Sequence, residues 1–370
     1  MKWVSCVVMA CAPTSPGSID PASEPGDTGG SRLPDTPHNV LVVIADDMGV
    51  DKLTTYGDVG VRPPLPTLEG LAAQGVVFER ADAMPKCAPS RATLITGRYP
   101  TQHGVGTGIA GSDVLGLPDD ERTLPELLVD RGVHHAILGK WHLGTKSHGG
   151  AASALDHGFD HHAGALASLL DGWSLDGAPQ DDTDWERVED GAVTRTNAYA
   201  TTDTTDSALR ALQTLPEPWV VWVAYNAPHV PLHWPPEALW PGELFGDDSD
   251  ERQFNAMLQA MDTELGRLVA GRTAQQLART TIVFVGDNGS PPHGVPAPLP
   301  ADRAKDTLYE GGVHVPLIVT GAAVVAPGRT SALVDATDLL PTIAELVGVD
   351  PGGLDAPLNG VSFVGSLQSS

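Results

Sequence analysis

Asn39-Val-Leu-Val-Val-Ile-Ala-Asp-Asp47 is the stretch that decides the fold. The run from Val40 to Ala45 is apolar, largely β-branched, and has no polar residue on alternate positions. Such a run reads as a strand buried on both faces, which is the situation of a parallel strand covered by helices on either side. It ends in two carboxylates. In open α/β sheets ligands bind outside the carboxyl ends of the strands, so Asp46 and Asp47 stand where chemistry is expected. A second run, Thr280-Thr-Ile-Val-Phe-Val285, reads the same way and ends in Gly286-Asp287-Asn288-Gly289. One acidic pair after a strand is equally well a helix cap. Two such ends together offer three carboxylates and an amide oxygen, the all-oxygen set that suits a hard cation, Ca²⁺ or Mg²⁺.

Two further strands are read at His135-Ala-Ile-Leu138 and at Trp219-Val-Val-Trp-Val-Ala-Tyr225. The first runs into Gly139-Lys-Trp-His-Leu-Gly144 and the second into Asn226-Ala-Pro-His229, so Lys140, His142 and His229 also follow strand ends. Alone, each would more often be a satisfied polar residue. A different signal lies at Cys87-Ala-Pro-Ser-Arg91. Pro89 suits the first turn of a helix, Ala92 to Ile95 continue it, and Gly97 closes it. Cys87 is then placed at a helix N-terminus, where unpaired N–H groups favour an anion. Arg91 returns to the same face four residues later.

Cys87-Ala-Pro-Ser-Arg91, followed by Ala-Thr-Leu-Ile-Thr-Gly-Arg98, resembles the signature of the type I sulfatases, the formylglycine-dependent branch of the alkaline phosphatase superfamily. The Gly139–Gly144 and Asn226–His229 blocks resemble that family's blocks, and Lys305, ahead of Leu308-Tyr-Glu-Gly-Gly312, matches its second lysine. The resemblance runs from residue 38 to about residue 365 in the family's order. It implies that Cys87 is oxidised to formylglycine by a formylglycine-generating or other sulfatase-maturing enzyme. It implies that Asp46, Asp47, Asp287 and Asn288 bind one divalent cation, usually calcium, with Mg²⁺ as the alternative. The aldehyde hydrate then attacks the sulfur of a sulfate ester. Arg91, Lys140, Lys305 and the cation hold the sulfate oxygens, His229 or Lys305 protonates the leaving alcohol, and His142 takes a proton from the second hydroxyl. Two other readings stay open: a phosphonate monoester or phosphodiester hydrolase with the same parts, and an unmodified, non-catalytic protein that binds sulfate esters. His314, in Val313-His-Val-Pro316, stands where the family usually has arginine.

The 370 residues are 41 % hydrophobic, ample for one large α/β domain. Lys plus Arg number 22 against 47 Asp plus Glu, a net charge of −25. No basic footprint for nucleic acid is visible. With three basic residues assigned to the sulfate being cleaved, the balance favours small or sparsely sulfated esters over a polysulfated polymer. Of the three cysteines, Cys6 and Cys11 lie near the N-terminus, so no disulfide framework is expected if Cys87 is modified. Lys2 followed by an apolar run reads as an export signal over residues 1–11, and Val8-Met-Ala-Cys11 resembles a lipobox. Acylated Cys11 would anchor a periplasmic or outer-membrane-attached bacterial lipoprotein through a Pro-, Gly- and Ser-rich tether, residues 12–37. No other membrane contact is expected, since no later segment approaches ~18 apolar residues.

Strand and helix signals alternate, so the expected fold is α/β, a large mainly parallel sheet with helices on both faces. The catalytic domain is expected over residues 38–348. A short remnant over 349–370 stands where the family usually carries a C-terminal antiparallel subdomain, here read as short or missing. Helices are expected at Pro66–Gln74, at Pro125–Asp130 behind a Thr123/Glu126 capping box with Gly132 as stop, at Asp203–Leu215, at Asp250–Arg272 and at Asp338–Gly348. Residues 145–200 show few runs and read as loops that help to shape the substrate pocket.

Overall fold

The first expected strand, β1 (Asn39–Ala45), has all seven residues buried. Its side chains alternate between two cores, as a two-fold pleat requires. Val40, Val42 and Ile44 point into one core and Leu41, Val43 and Ala45 into the other. Helices therefore cover both faces, as expected. The structure, a computed structural model, describes residues 37–57, 62–110, 115–170, 174–240 and 249–368. All of them belong to one unit, Leu33–Ser370. The expected export signal, Cys11 and the tether up to residue 36 lie outside the described residues.

The other strands are β2 (Val76–Asp82), β3 (His134–Gly139), β4 (His161–Gly164), β5 (Trp185–Glu189), β6 (Ala192–Thr196), β7 (Trp219–Ala224), β8 (Thr280–Gly286), β9 (Leu317–Gly321) and β10 (Gly328–Asp335). They form one sheet in the order β10-β2-β9-β8-β1-β7-β3-β4-β5-β6. The central five, β8-β1-β7-β3-β4, are parallel throughout. Val40 faces Val220 on one side and Thr281 on the other. Antiparallel pairing is confined to the flanks: β9 runs against β8 and β2, and β5 against β4 and β6. The expectation of a mainly parallel sheet holds where the acidic strand ends lie.

Helix α1 (Pro66–Gln74) has the expected bounds, with proline in the first turn and Gly75 after the last. It packs on the Leu41 face with the helices Ala200–Thr214 and Asp250–Ala270, through Leu68, Ala208, Met261 and Leu265 among others. Helix α2 (Cys87–Thr96) packs on the Val42 face with the helix Leu339–Leu346. Gly97 closes α2 at φ 64. The Thr123/Glu126 capping box forms, but the helix behind it is only Leu124–Leu128, and a 3₁₀ turn, Val129–Arg131, carries the chain to Gly132. The helix expected from Asp203 begins three residues earlier, at Ala200, so Asp203 lies in its first turn and favours the dipole there. The long helix ends at Ala270, two residues short of the expected Arg272, and the last runs Leu339–Leu346 rather than Asp338–Gly348. Residues 145–200 are not all loop: they supply β4, β5 and β6.

Candidate active site

Four adjacent parallel strands, β8, β1, β7 and β3, end side by side, and their ends carry most of the expected site residues. Asp46 and Asp47 follow β1, Asp287 and Asn288 follow β8, His229 lies beyond β7, and Lys140 and His142 follow β3. Gly139 makes the last turn possible. It sits at φ 97, and a Cβ there would lie 2.0 Å from the Ala224 carbonyl oxygen. Asp47 and His142 are themselves at φ 75 and 64, positions that non-glycine residues rarely take and that cluster at functional sites. α2 reaches the same place from the opposite core. Cys87 is its first residue, and Arg91 lies one turn on.

The ten expected residues come together. One oxygen each of Asp46, Asp47 and Asp287 lie within 4.8 Å of one another. Ligand atoms of Asp46, Cys87 and His229 do the same. The Asp47 N–H donates to Asp287 Oδ1 at 2.9 Å and stitches the β1 and β8 ends together. Asn288 Nδ2 donates to Asp47 Oδ1 at 2.8 Å, and Asn288 Oδ1 is buried without a hydrogen-bond partner. Lys305 Nζ pairs with Asp47 Oδ1 at 2.5 Å, and Lys140 Nζ pairs with Asp46 Oδ2. Arg91 donates from Nε and Nη2 to Asp287 Oδ2, at 3.0 and 2.9 Å, and from Nη1 to the Lys140 carbonyl at 2.9 Å. Three of its five N–H donors are thus committed to holding Asp287 and the Lys140 backbone. All ten residues are buried or nearly so; Lys305, at 10 % side-chain exposure, is among the most open.

Three carboxylates meet three cations here, and the balance between them is uneven. Burial alone would raise the Asp46 carboxyl, but Lys140, His229, Arg91 and Lys305 together hold it well below the usual carboxylate range. Asp47 is held down in the same way, chiefly by Lys305 against its own burial. Asp287 goes the other way. Burial and the neighbouring Asp46 push it up to about 7 in spite of Arg91. Burial also raises the Cys87 thiol, and it lowers both His142 and His229, with Lys140 adding to each. Burial thus disfavours the charged form of both histidines. A carbonyl only accepts, so the 2.9 Å contact of His142 Nε2 with the Ile109 carbonyl places the ring proton on Nε2. His229 Nδ1 likewise donates to the Val230 carbonyl at 2.7 Å, which leaves Nε2 facing the cluster, 4.0 Å from Asp47 Oδ2.

Pro231, two residues beyond His229, forms part of the wall of a cleft of about 590 Å³. Leu169, Gln180, Asp181 and Asp184 form other parts, so the segment 145–200 shares this cleft with the loop that carries His229. His314 lies outside the cluster. It pairs with Glu310 at 3.1 Å and sets its ring edge-on to Tyr56. Reading the sequence missed Ile109. Its part is played by a main-chain carbonyl, and the glycines of Gly104-Val-Gly-Thr-Gly108 signal only a loop.

A family model described as Sulfatase matches residues 38–349. Arylsulfatase A of Bos taurus is 31 % identical over 350 residues, covering 85 % of this chain and 64 % of that protein. N-acetylgalactosamine-6-sulfatase of Homo sapiens is 29 % identical over 367 residues, covering 92 % and 67 %. The chain thus spans about two thirds of the length of the curated relatives it matches. Among solved structures, the crystal structure of Ps i-CgsB superposes with a TM-score of 0.76 at 26 % identity, over 90 % of this chain and 76 % of that one. The same protein in complex with k-i-k-neocarrahexaose gives 0.75. A buried acidic cluster at the ends of parallel strands, a cysteine at a helix start above it, and a family model over most of the chain agree: this chain belongs to the sulfatase family.

Proposed function

We propose that this protein hydrolyses sulfate esters, with formylglycine formed from Cys87 and one divalent cation, calcium, held by Asp46, Asp47, Asp287 and Asn288. The observation that carries the reading is the convergence of Cys87, three carboxylates, an amide, two lysines and two histidines beyond the ends of adjacent strands. The donor set fits a hard cation. Asp46 Oδ1 and Asn288 Oδ1 are buried without a hydrogen-bond partner, and the raised Asp287 carboxyl is a crowded acid that a nearby positive charge would ionise. A bound cation would supply charge neutralisation and polarise oxygen, and a hydrated aldehyde at residue 87 would supply two hydroxyls on one carbon, one nucleophilic and one ionisable.

The protein's own residues do the rest. Lys140 and Lys305 flank the carboxylates and present positive charge to the sulfate oxygens. Arg91 acts through its partners, fixing the Asp287 carboxylate and the turn that carries Lys140. His142 is held by Ile109 as the tautomer whose Nδ1 accepts a proton, which suits a base. His229 already has its Nδ1 proton committed to Val230, so a second proton must go to Nε2, on the side of the cluster. The sulfate ester anion favours that imidazolium, and Nε2 then delivers its proton to the leaving alcohol.

The test has two arms. The mass of the residue-87 peptide shows whether the cysteine has become an aldehyde. Steady-state rates on an aryl sulfate and on a phosphonate monoester decide which ester is the substrate. Cys87→Ala should retain the fold and lose turnover. An unmodified thiol in active protein, or full activity in the alanine variant, would sink the mechanism, and faster phosphonate cleavage would replace the substrate class.

A further inference from the structure

The histidine expected to protonate the leaving group sits on a loop, and that loop is held by a second histidine. His233 Nδ1 donates to the Pro231 carbonyl at 2.9 Å. A carbonyl cannot donate, so His233 Nε2 is the accepting nitrogen, and the Tyr199 hydroxyl donates to it at 3.1 Å. The Tyr199 and His233 rings also meet edge to face, with centroids 5.5 Å apart. Tyr199 immediately precedes the helix Ala200–Thr214, and the Ala200 N–H donates to the Asp182 carbonyl at 2.8 Å. Asp182 closes the group: its carboxyl is buried, and Oδ2 lies 3.4 Å from His233 Nδ1. Tyr199 is also nearly buried.

The clamp runs from a packed helix to a loop. The helix Ala200–Thr214 is anchored in the Leu41-face core through Ala208, Ala211 and Leu212. His229 lies in irregular chain, and its own ring makes a hydrogen bond only one residue away, to Val230. The ring of His229 is therefore fixed relative to its loop, and the loop is fixed at Pro231 by His233. A general acid must meet its proton acceptor within hydrogen-bond reach, and a displacement of about 1 Å can cost on the order of 10²-fold in rate.

We propose that Tyr199 and His233 are positioning residues for the sulfatase reaction, a clamp that holds the His229 loop so that Nε2 faces the leaving oxygen. The proposal rests on the reading of His229 as the acid. Proton delivery matters more as the leaving alcohol becomes more basic. Loss of positioning therefore shows as a dependence on the leaving group, which a general loss of folded protein does not produce.

The experiment uses the full chain and a series of aryl sulfates from 4-nitrophenyl to 4-methoxyphenyl sulfate. The variants are Tyr199→Phe, His233→Ala, His233→Asn and, as the reference, His229→Ala. His229→Ala should steepen the dependence of kcat on leaving-group basicity. Tyr199→Phe and His233→Ala should steepen it in the same sense, with kcat for the most basic phenol falling about 10-fold or more and that for 4-nitrophenyl sulfate by less than about 3-fold, with KM little changed. The His233→Asn amide nitrogen can still reach the Pro231 carbonyl but has nothing in the place of Nε2 to meet Tyr199, so this variant should steepen the dependence about as much as Tyr199→Phe, and wild-type behaviour in it would overturn the clamp. An unaltered dependence in His229→Ala overturns the acid role and the clamp with it. A steeper dependence in His229→Ala, with wild-type behaviour or a uniform loss in Tyr199→Phe and His233→Ala, overturns the clamp alone.

Discussion

Arg91→Gln probes the ion pair on which the cluster is built. Arg91 is only 4 % exposed and binds one oxygen of the fully buried Asp287 through two of its nitrogens. Removing one partner of a buried pair typically costs about 3–5 kcal/mol when the other charge stays; Asp287, already pushed up to about 7, can escape that charge by taking up a proton, which favours the low end. At roughly 2.1 cal/mol/K per residue, unfolding a unit the size of Leu33–Ser370 carries an entropy of about 0.7 kcal/mol/K near 60 °C. The single substitution should therefore lower Tm by about 4–7 °C, towards the lower figure. Adding Asp287→Asn removes the orphaned charge as well and leaves two amides where the ion pair was. The double variant should recover most of the loss, with a coupling energy of about 2–3 kcal/mol, and should remain inactive because the oxygen set has lost a carboxylate. Thermal melts of the four proteins in a chelating buffer measure the cycle, and aryl sulfate turnover with calcium measures activity. If Arg91→Gln melts within about 1 °C of the parent, or the two losses simply add, the pair does not carry the energy assigned to it here.

Asp46→Asn should weaken calcium binding by at least about 10-fold, read by titration against a fluorescent indicator, because one of three carboxylates in an all-oxygen set is lost; unchanged affinity would remove Asp46 from that set. Gly139→Ala should yield little folded protein, since its Cβ would overlap the Ala224 carbonyl, and a soluble variant of normal activity would contradict the turn geometry. Acid should destabilise the fold through His135, which burial lowers to about 3 from an ordinary 6.5. Neutral in the fold and protonated in the unfolded chain, it contributes fully above pH 6.5 and loses that contribution as pH falls towards 3, about 2 kcal/mol by pH 5. His135→Leu should flatten the decline in urea melts between pH 7 and 5, and a parallel decline would refute this. The cleft beside His229 presents Asp181 and Asp184 and, among its described lining residues, no lysine or arginine, so a monosulfated ester should be cleaved faster than its disulfated analogue. Faster, salt-sensitive cleavage of a polysulfated glycan would overturn that preference.

What was legible in the sequence was what the main chain's own chemistry imposes. β1 could be read because a strand buried on both faces has nowhere to put a polar side chain, and α1 because proline and glycine mark its two ends. The place of the acidic cluster was legible for the same reason: a hydrophobic run that stops at a carboxylate marks a strand end, and strand ends are where such a sheet binds. Signals failed where charge overlies structure. β5 and β6 carry Glu186, Arg187 and Arg195, which hide their alternation, although Asp190-Gly191 between them, at φ 47 and 82, is a recognisable two-residue hairpin turn. The start of the helix at Ala200 was missed because Ala-Thr-Thr has neither a cap nor an apolar period.

The contacts that orient the histidines were beyond reach for a different reason. Ile109 holds His142 across 33 residues and Tyr199 holds His233 across 34, and in each loop the atom that does the holding, or is held, is a backbone carbonyl that every residue type possesses. Residue identity therefore carries no trace of the role at Ile109 or Pro231. The same division runs through the site itself. The groups that carry charge are named by the sequence, whereas the tautomers that decide which histidine nitrogen faces the substrate are set by carbonyls whose positions only the fold determines. Asp47 and His142, held at positive φ, show that the fold imposes those positions against local preference. Substitutions at Ile109 that preserve its carbonyl should accordingly be tolerated far better than changes in the length of its loop.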